Sequence, residues 1–299
     1  MKILTLSGKK QSGKNTAFNF LLGLEIIKSS LVRGTMTVTN KGQLWVSDLW
    51  GDEKFKGILD INRPTESMQR LRAELVDPFI KAYSFADVLK QDVCMGVLGL
   101  SREQCYGSDD QKNSATHLRW ENMPGIITSS KCEQIVAMLG SESNDLMTNI
   151  RDAIVGSEDL NMIVRDGPMT AREVMQYVGT DIFRKMYGDV WVDSTIRRIQ
   201  ADGSEFAIIT DCRFPNEVKA TQEAGGKVVR FTRGPAANED QHESETALDK
   251  DKYDWGNFNA VLDNAEMSVN EQNVAFHKLL SGWGWIDELK VSQSIPVSN

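Results

Sequence analysis

Lys2-Ile-Leu-Thr-Leu-Ser7-Gly8-Lys9-Lys10-Gln11-Ser12-Gly13-Lys14-Asn15-Thr16 opens the chain and decides how the rest is read. A short apolar strand runs into a glycine-rich turn, and a helix is predicted from about Asn15 to Lys28. The pattern G-x-x-x-x-G-K is complete in Gly8 to Lys14. Glycines let successive backbone N–H groups point inward at phosphate oxygens, and the helix N-terminus adds its positive dipole end. Lys14 supplies a point charge for the β- and γ-phosphates. Gly8, Lys10, Ser12, Gly13, Lys14, Asn15 and Thr16 are therefore the candidate nucleotide-binding residues. One position departs from the usual form: Asn15 stands where Ser or Thr ordinarily ligates Mg²⁺. Either Asn15 turns its carbonyl oxygen to the metal shell, or Thr16 acts in its place, or water intervenes. By itself the stretch implies binding of a nucleoside triphosphate and no particular reaction.

Working outward, the apolar residues of the first helix (Phe18, Phe20, Leu21, Leu22, Leu24, Ile26, Ile27) cover nearly its whole circumference, which predicts burial on most sides. Thr35–Thr39 and Gln43–Ser47, joined by Asn40-Lys41-Gly42, read as a β-hairpin. It interrupts the strand–helix alternation, so 29–80 is expected to be an insertion carrying the hairpin and a helix over Pro64–Leu75. Further core strands are expected at Lys81–Phe85, Phe206–Thr210, Lys227–Thr232 and Ala260–Asp263. Helices are expected over Asp87–Leu98, after the capping box Thr170-x-x-Glu173, over Val190–Ala201, from Pro215 to Gly225-Gly226, and over Val269–Leu280. Ser101-x-x-Gln104 is a second capping box. Segment 107–168 is polar and poor in periodic apolar positions, which suggests an acceptor-side insertion or lid. Strands alternating with helices imply a mostly parallel sheet covered on both faces, an α/β fold within a single domain spanning 1–299.

The chain has 299 residues, 34 Lys+Arg against 42 Asp+Glu, and a formal net charge of −8. An acidic balance argues against a protein that lives on a nucleic-acid polymer. No apolar run approaches the ~20 residues needed to span a bilayer, and Met1–Gly8 is too short and too soon polar for a signal peptide. Cys94, Cys105, Cys132 and Cys212 form no C-x-x-C pair, and His117, His242 and His277 show no metal-ligand spacing. A cytoplasmic protein with free thiols is expected.

Three further segments suit a small-molecule kinase, which needs positive groups around two phosphates that repel each other. In Tyr83-Ser-Phe-Ala-Asp87-Val-Leu-Lys90, a strand runs into a helix, placing Asp87 and Lys90 where ligands of open α/β sheets sit. The alternative for Asp87 is a helix-terminal acid that complements the dipole. In Phe206-Ala-Ile-Ile-Thr-Asp211-Cys-Arg213-Phe-Pro-Asn-Glu217, an apolar strand ends in an acid. Asp211 then holds Mg²⁺ through water and Arg213 offers a fork to phosphate, or the two pair to fix the turn. Arg172, Gln176 and Asp181 share a helical stripe, with Thr180 and Arg184 in the same segment. Such a stripe faces either a cavity or solvent.

The set Gly8-x-Lys10-x-Ser12-Gly13-Lys14-Asn15-Thr16, Met175-Gln-x-x-Gly179-Thr180-Asp181 and Ile209-x-Asp211-x-Arg213-x-x-x-Glu217 resembles bacteriophage deoxynucleoside monophosphate kinases. Arg230-Phe-Thr-Arg233 with His242-Glu-Ser-Glu245-x-Ala-Leu248 is similar to their lid, here 231–250. A more distant likeness is to animal-type phosphomevalonate kinase. The resemblance covers Met1–Lys28, Lys81–Gly107 and Met169 to about Leu280. It implies a P-loop NTPase fold, a five-stranded doubly wound sheet in the order 2-3-1-4-5, and transfer of the γ-phosphoryl of ATP to a deoxynucleoside 5′-monophosphate with Mg²⁺. The family usually has Asp at the position of Asn15. Carried over residue by residue, Lys14, Asp211 and Arg213 are catalytic, and Thr16 and Asp211 are the metal candidates. Arg233 meets the transferring phosphoryl or the ATP phosphates, and Asn264 the adenine. The acceptor falls to Asp87, Lys90, Arg119, Trp120, Arg172, Gln176, Thr180, Asp181 and Arg184. For Trp120, base stacking and ordinary packing both stand. The implied partners are small nucleotides, with neither nucleic acid nor membrane, and a homodimer is implied by likeness alone.

Overall fold

The computed structural model describes residues 1–28, 35–47, 56–126, 128, 131, 165–234, 246–287 and 297–298. Cys132, His242 and most of the expected lid lie outside the described residues, as does 132–164 of the expected insertion. The strands are β1 (Lys2–Ser7), β2 (Met36–Thr39), β3 (Leu44–Val46), β4 (Gly57–Ile58), β5 (Ile80–Tyr83), β6 (Ala115–Arg119), β7 (Pro168–Thr170), β8 (Phe206–Cys212), β9 (Lys227–Phe231), β10 (Ala260–Leu262) and β11 (Val297–Ser298). The α-helices are α1 (Lys14–Lys28), α2 (Glu66–Leu71), α3 (Arg102–Tyr106), α4 (Asp109–Lys112), α5 (Ala171–Gln176), α6 (Val190–Asp202), α7 (Pro215–Glu223) and α8 (Val269–Gly282). The chain divides into two compact units, one of residues Met1–Asp87 with Asp189–Asn299, the other Val88–Gly188.

The first unit is built on a five-stranded sheet, β5-β8-β1-β9-β10, in which every neighbouring pair is parallel. In chain order the five strands therefore lie 2-3-1-4-5 across the sheet. Side chains of a strand alternate between faces, and here both faces are buried. Leu4, Leu6, Ile208, Val229 and Phe231 join one core with α1 and α8. Ile3, Ala207, Ile209 and Val228 join another with Val192 and Ile199 of α6 and Val218 of α7. That two-sided burial explains why the strands read as unbroken apolar runs. α1 is wrapped by the first core: Ala17, Phe18, Phe20, Leu21, Leu22 and Ile26 are buried.

The hairpin forms as expected from Asn40-Lys41-Gly42, with Met36 opposite Val46 and Val38 opposite Leu44. It continues into β4 on one side and β11 on the other, a second sheet in the order β11-β2-β3-β4. Met36, Val38, Leu44 and Val46 pack into the same core as α1. Its turn lies against the start of α1: Asn19 Nδ2 donates to Gly42 O at 2.8 Å. The expected helix over Pro64–Leu75 starts later, at Glu66, because Thr65 caps it by accepting from Met68 N–H. It then continues as a π-turn over Arg72–Val76.

In the second unit the helix expected from Asp87 is present but wound as a π-helix over Val88–Val97, and α5 runs on as a π-helix over Tyr177–Arg184. Both expected capping boxes form, with reciprocal bonds between Ser101 and Gln104 and between Thr170 and Glu173. The stretch read as loop after Gly107 contains α4 and β6, and β6 pairs antiparallel with β7. The core of this unit includes Cys94, Leu100, Cys105, Trp120, Met169, Val174 and Val178. Cys94, Cys105 and Cys212 are buried free thiols. Burial raises the Cys94 thiol to about 12. Among the described residues no helix is long and apolar enough to cross a membrane.

The hairpin turn supplies a stability test. Gly42 has φ +74°, and a β-carbon there would collide with the Thr16 side chain. Gly42→Ala is expected to cost about 1–3 kcal/mol from the backbone alone, with the Thr16 collision in addition. A thermal melt superimposable on that of the unmodified chain would show that the turn does not abut α1 as described.

Candidate active site

β1 delivers the chain to the carboxyl end of the sheet, where Ser7 is buried and Gly8 begins the loop. In open α/β sheets this edge is the ligand edge. Gly13, with φ +93°, ends the loop, and α1 starts at Lys14. A β-carbon at Gly13 would run into the Gln272 amide, so the position is closed to other residues by both backbone and space. Gln11 adopts φ +62°, a strained left-handed conformation for a residue with a β-carbon. The Lys14 ammonium folds back into the loop, donating to Gly8 O at 2.6 Å, Lys9 O at 2.7 Å and Ser12 Oγ at 3.1 Å. Burial first, then the charges of Arg213 and Arg230, bring its pKa down from 10.5 to about 8, with Asp211 acting in the opposite sense. Two arginines and a lysine thus meet at the end of one sheet.

The loop is held from behind by two amides. Asn264, just beyond β10 and fully buried, donates through Nδ2 to Ser12 O at 2.8 Å and to Gln272 Oε1 at 2.7 Å. Gln272 of α8 donates to Gly13 O at 3.1 Å. Asn264, expected at the adenine, therefore has its amide engaged with the phosphate loop. Arg233, expected at the phosphates, is turned onto main chain: Nε and Nη2 donate to Asn264 O at 3.2 and 2.9 Å, and Nη2 also to Met267 O. Its own N–H donates to Asn264 Oδ1 at 2.9 Å. Gln272 was not among the expected residues. Its signal is a polar side chain on the inward stripe of a helix whose later members, Phe276 and Leu280, are core.

Asp211 sits at the end of β8 and organises the neighbouring strand end. Its carboxylate accepts from Ser84 Oγ at 2.5 Å, Phe85 N–H at 2.9 Å and Ala86 N–H at 3.4 Å. Asp87 closes the same turn by accepting from Ser84 N–H at 3.0 Å. Glu217, buried in the first turn of α7, accepts from the N–H groups of Arg213 at 2.6 Å and Phe214 at 3.1 Å. Arg213 thus stands on a backbone fixed from one side by a helix cap, with its side chain exposed. Lys10 and Asn15 are exposed, and the Thr16 hydroxyl lies against Gly42 of the hairpin turn. For a metal, the residues fit a water-mediated role of Asp211, since three hydrogen bonds already occupy most of its lone pairs. Mg²⁺ characteristically takes much of its shell from water and phosphate. No group of three or more metal-ligating His, Cys, Asp or Glu side chains occurs among the described residues.

The second unit carries the remaining expected residues. Trp120 is only 5 % exposed, packed edge-on against Tyr177 at 5.4 Å and covered by the Arg165 guanidinium at 4.7 Å. Its ring belongs to the core. Arg119 pairs with Glu121 at 2.8 Å, Arg172 with Asp109 at 2.7 Å, and Asp181 with Lys185 at 3.2 Å. Lys90 lies over the Tyr106 ring at 4.9 Å. Gln176 and Thr180 are exposed, while Arg184 is half-buried. The stripe is thus a partly solvated, ion-paired face.

The Lys14 environment gives a pH test. The free chain loses this charge as pH rises through about 8. kcat/KM for a triphosphate is therefore expected to fall along an additional limb above about pH 8, while kcat, measured with phosphate in place, holds to higher pH. The linkage sign is opposite for stability: the folded chain binds fewer protons between about 8 and 10.5, so this group's contribution improves across that window. A kcat/KM profile flat from pH 7 to 10.5 would contradict the placement.

Two comparisons bear on the site. The sequence profile of the deoxynucleotide monophosphate kinase family matches residues 73–266, well over half of the chain. A protein of Acanthamoeba polyphaga mimivirus, provisionally named a deoxynucleotide monophosphate kinase, is 29% identical over 165 residues, 55% of this chain and 67% of its own. With the phosphate loop and its cations at the carboxyl edge of a parallel sheet, the chain belongs to the deoxynucleotide monophosphate kinase family.

Proposed function

We propose that the chain transfers the γ-phosphoryl group of ATP to the 5′-phosphate of a deoxynucleoside monophosphate, giving the diphosphate and ADP. The observation that carries this reading is the convergence on Lys14. Its ammonium is held by loop carbonyls, and the charges of Arg213 and Arg230 are close enough to lower its pKa. Two anionic phosphates must be brought into line, and cations at fixed positions offset their repulsion.

Phosphate oxygens of ATP replace Gly8 O and Lys9 O as partners of Lys14. The N–H groups of the loop and of the first turn of α1 hold the rest of the phosphate chain. Arg213 meets the phosphoryl group as it passes between donor and acceptor. Mg²⁺, when bound, offsets phosphate charge, with Asp211 meeting its water shell. Asp211 also keeps the Ser84–Ala86 turn in place, and Asp87 at the end of that turn takes the sugar hydroxyl of the acceptor. Within the Val88–Gly188 unit, Gln176 and Thr180 are exposed, whereas Trp120 serves the core.

The test is incubation with ATP, Mg²⁺ and each of dGMP, dTMP, dCMP, dAMP and GMP, with diphosphate product counted. Product from at least one deoxynucleotide is expected, and Lys14→Ala should lower turnover by about 10²–10³-fold, the range for losing one electrostatic donor at a reacting centre, without unfolding the chain. Absence of product from every nucleotide while ATP still binds would reject the reading in favour of another phosphorylated acceptor. Retained turnover in a folded Lys14→Ala chain would reject the assigned site.

A further inference from the structure

Arg230 lies at the end of β9, in register with Ser7 of β1, the residue that leads into the phosphate loop. It is 4 % exposed, yet its partners among the described residues are few. Nη1 donates to Ser7 Oγ at 3.0 Å. Nη2 stands 3.6 Å from Asp249 Oδ1, beyond hydrogen-bond length, and among the described residues Nε has no acceptor. The Trp255 ring lies 5.3 Å from the guanidinium, and its own N–H donates to Leu248 O at 2.9 Å. Asp249 is shared, because its Oδ2 accepts from Lys9 Nζ at 2.9 Å. One carboxylate therefore serves two cations. A guanidinium has five N–H donors, and among the described residues this one makes a single full hydrogen bond. A buried charge with so little compensation is unfavourable unless an anion completes it. The contrast with Arg233 is direct, since that guanidinium is occupied by the carbonyls of Asn264 and Met267.

We propose that Arg230 is the second phosphate-binding guanidinium of the site beside Arg213, a role that the resemblance assigned to Arg233. Its unoccupied N–H groups take non-bridging oxygens of the phosphate chain held in the loop, Trp255 fixes its plane, and Asp249 steers it from behind. Asp249 and Lys9 remain paired when the anion arrives, so no carboxylate is left without a partner. The lowered pKa of Lys14, caused in part by Arg230, agrees with this placement. The assignment rests on the phosphoryl-transfer reading above, and the test separates the two.

Arg230→Met and Arg230→Lys would be compared with the unmodified chain for binding of inorganic tripolyphosphate and of ATP with Mg²⁺, for kcat and KM with the accepted deoxynucleotide, and for Tm. Arg230→Met is expected to weaken tripolyphosphate and ATP binding by about 10- to 100-fold, the range for losing one or two charge-assisted hydrogen bonds, and to lower kcat as well. Its Tm should equal or exceed that of the unmodified chain, because an undercompensated buried cation is replaced by an apolar side chain of similar length. Arg230→Lys should fall between the two in binding. Unchanged binding overturns the proposal. So does a lowered Tm with loss of activity in proportion, the behaviour of a structural arginine. If the unmodified chain phosphorylates no deoxynucleotide, the functional reading falls while the tripolyphosphate arm still decides Arg230. Failure of the unmodified chain to bind tripolyphosphate overturns the Arg230 proposal.

Discussion

Three cations held close together at one edge of a sheet are the constraint on which the first unit depends. Lys14, Arg213 and Arg230 repel one another, and the pKa of Lys14 is depressed first by burial and then by the two guanidinium charges. Such a cluster persists only if the backbone beneath it cannot relax. The surroundings supply that rigidity in several ways. Strands buried on both faces fix where β1, β8 and β9 end. The Asn264 and Gln272 amides hold the carbonyls of Ser12 and Gly13. Strain at Gln11 is retained because these contacts determine the loop.

The segment Asp211-Cys-Arg213-Phe-Pro-Asn-Glu217 divides its labour between two carboxylates. Asp211 reaches sideways to the turn after β5, and Glu217 reaches back to the N–H groups of Arg213 and Phe214. Together they fix the ends of two neighbouring strands relative to each other and set the backbone from which Arg213 projects. Pro215 at the start of α7 adds a preset φ where no N–H is needed. The spacing of acid, arginine and second acid therefore has a mechanical reason besides any contact with a ligand. A carboxylate in this position is first a brace for its neighbour strand and only then available to a metal shell.

Much of this frame is legible in the sequence, and the exceptions have physical causes. The central strands β1, β8 and β9 are readable because two-sided burial turns them into apolar runs. Asn40-Lys41-Gly42 marks the hairpin because only a residue tolerant of positive φ closes that turn. β6 escapes notice because Ala115-Thr-His-Leu-Arg119 alternates between exposed and half-buried positions without strongly apolar members. The π-winding of Val88–Val97 and Tyr177–Arg184 is invisible to a period-based reading, which sees a helix in either case. Site residues are less legible than elements. Sequence proximity does not separate Arg233 from Arg230, whereas the fold turns one onto main-chain carbonyls and buries the other beside Ser7. Trp120 next to Arg119 looks like a stacking platform until Tyr177 and Arg165 occupy its ring.

The two lines of functional evidence fall on different parts of the chain. The family profile begins at residue 73, beyond the phosphate loop, whereas G-x-x-x-x-G-K lies entirely before it. A loop of that pattern speaks for a triphosphate and is silent on the acceptor; the matched region speaks for the family and does not contain the loop. The fold joins them through contacts that cross that boundary. Ser7 meets Arg230, Lys9 meets Asp249, and Ser12 meets Asn264. Each of these pairs a residue of the first strand or its loop with one more than 200 positions later. The phosphate loop is therefore shaped by the region that carries the family signature, and its chemistry cannot be separated from that region by sequence distance.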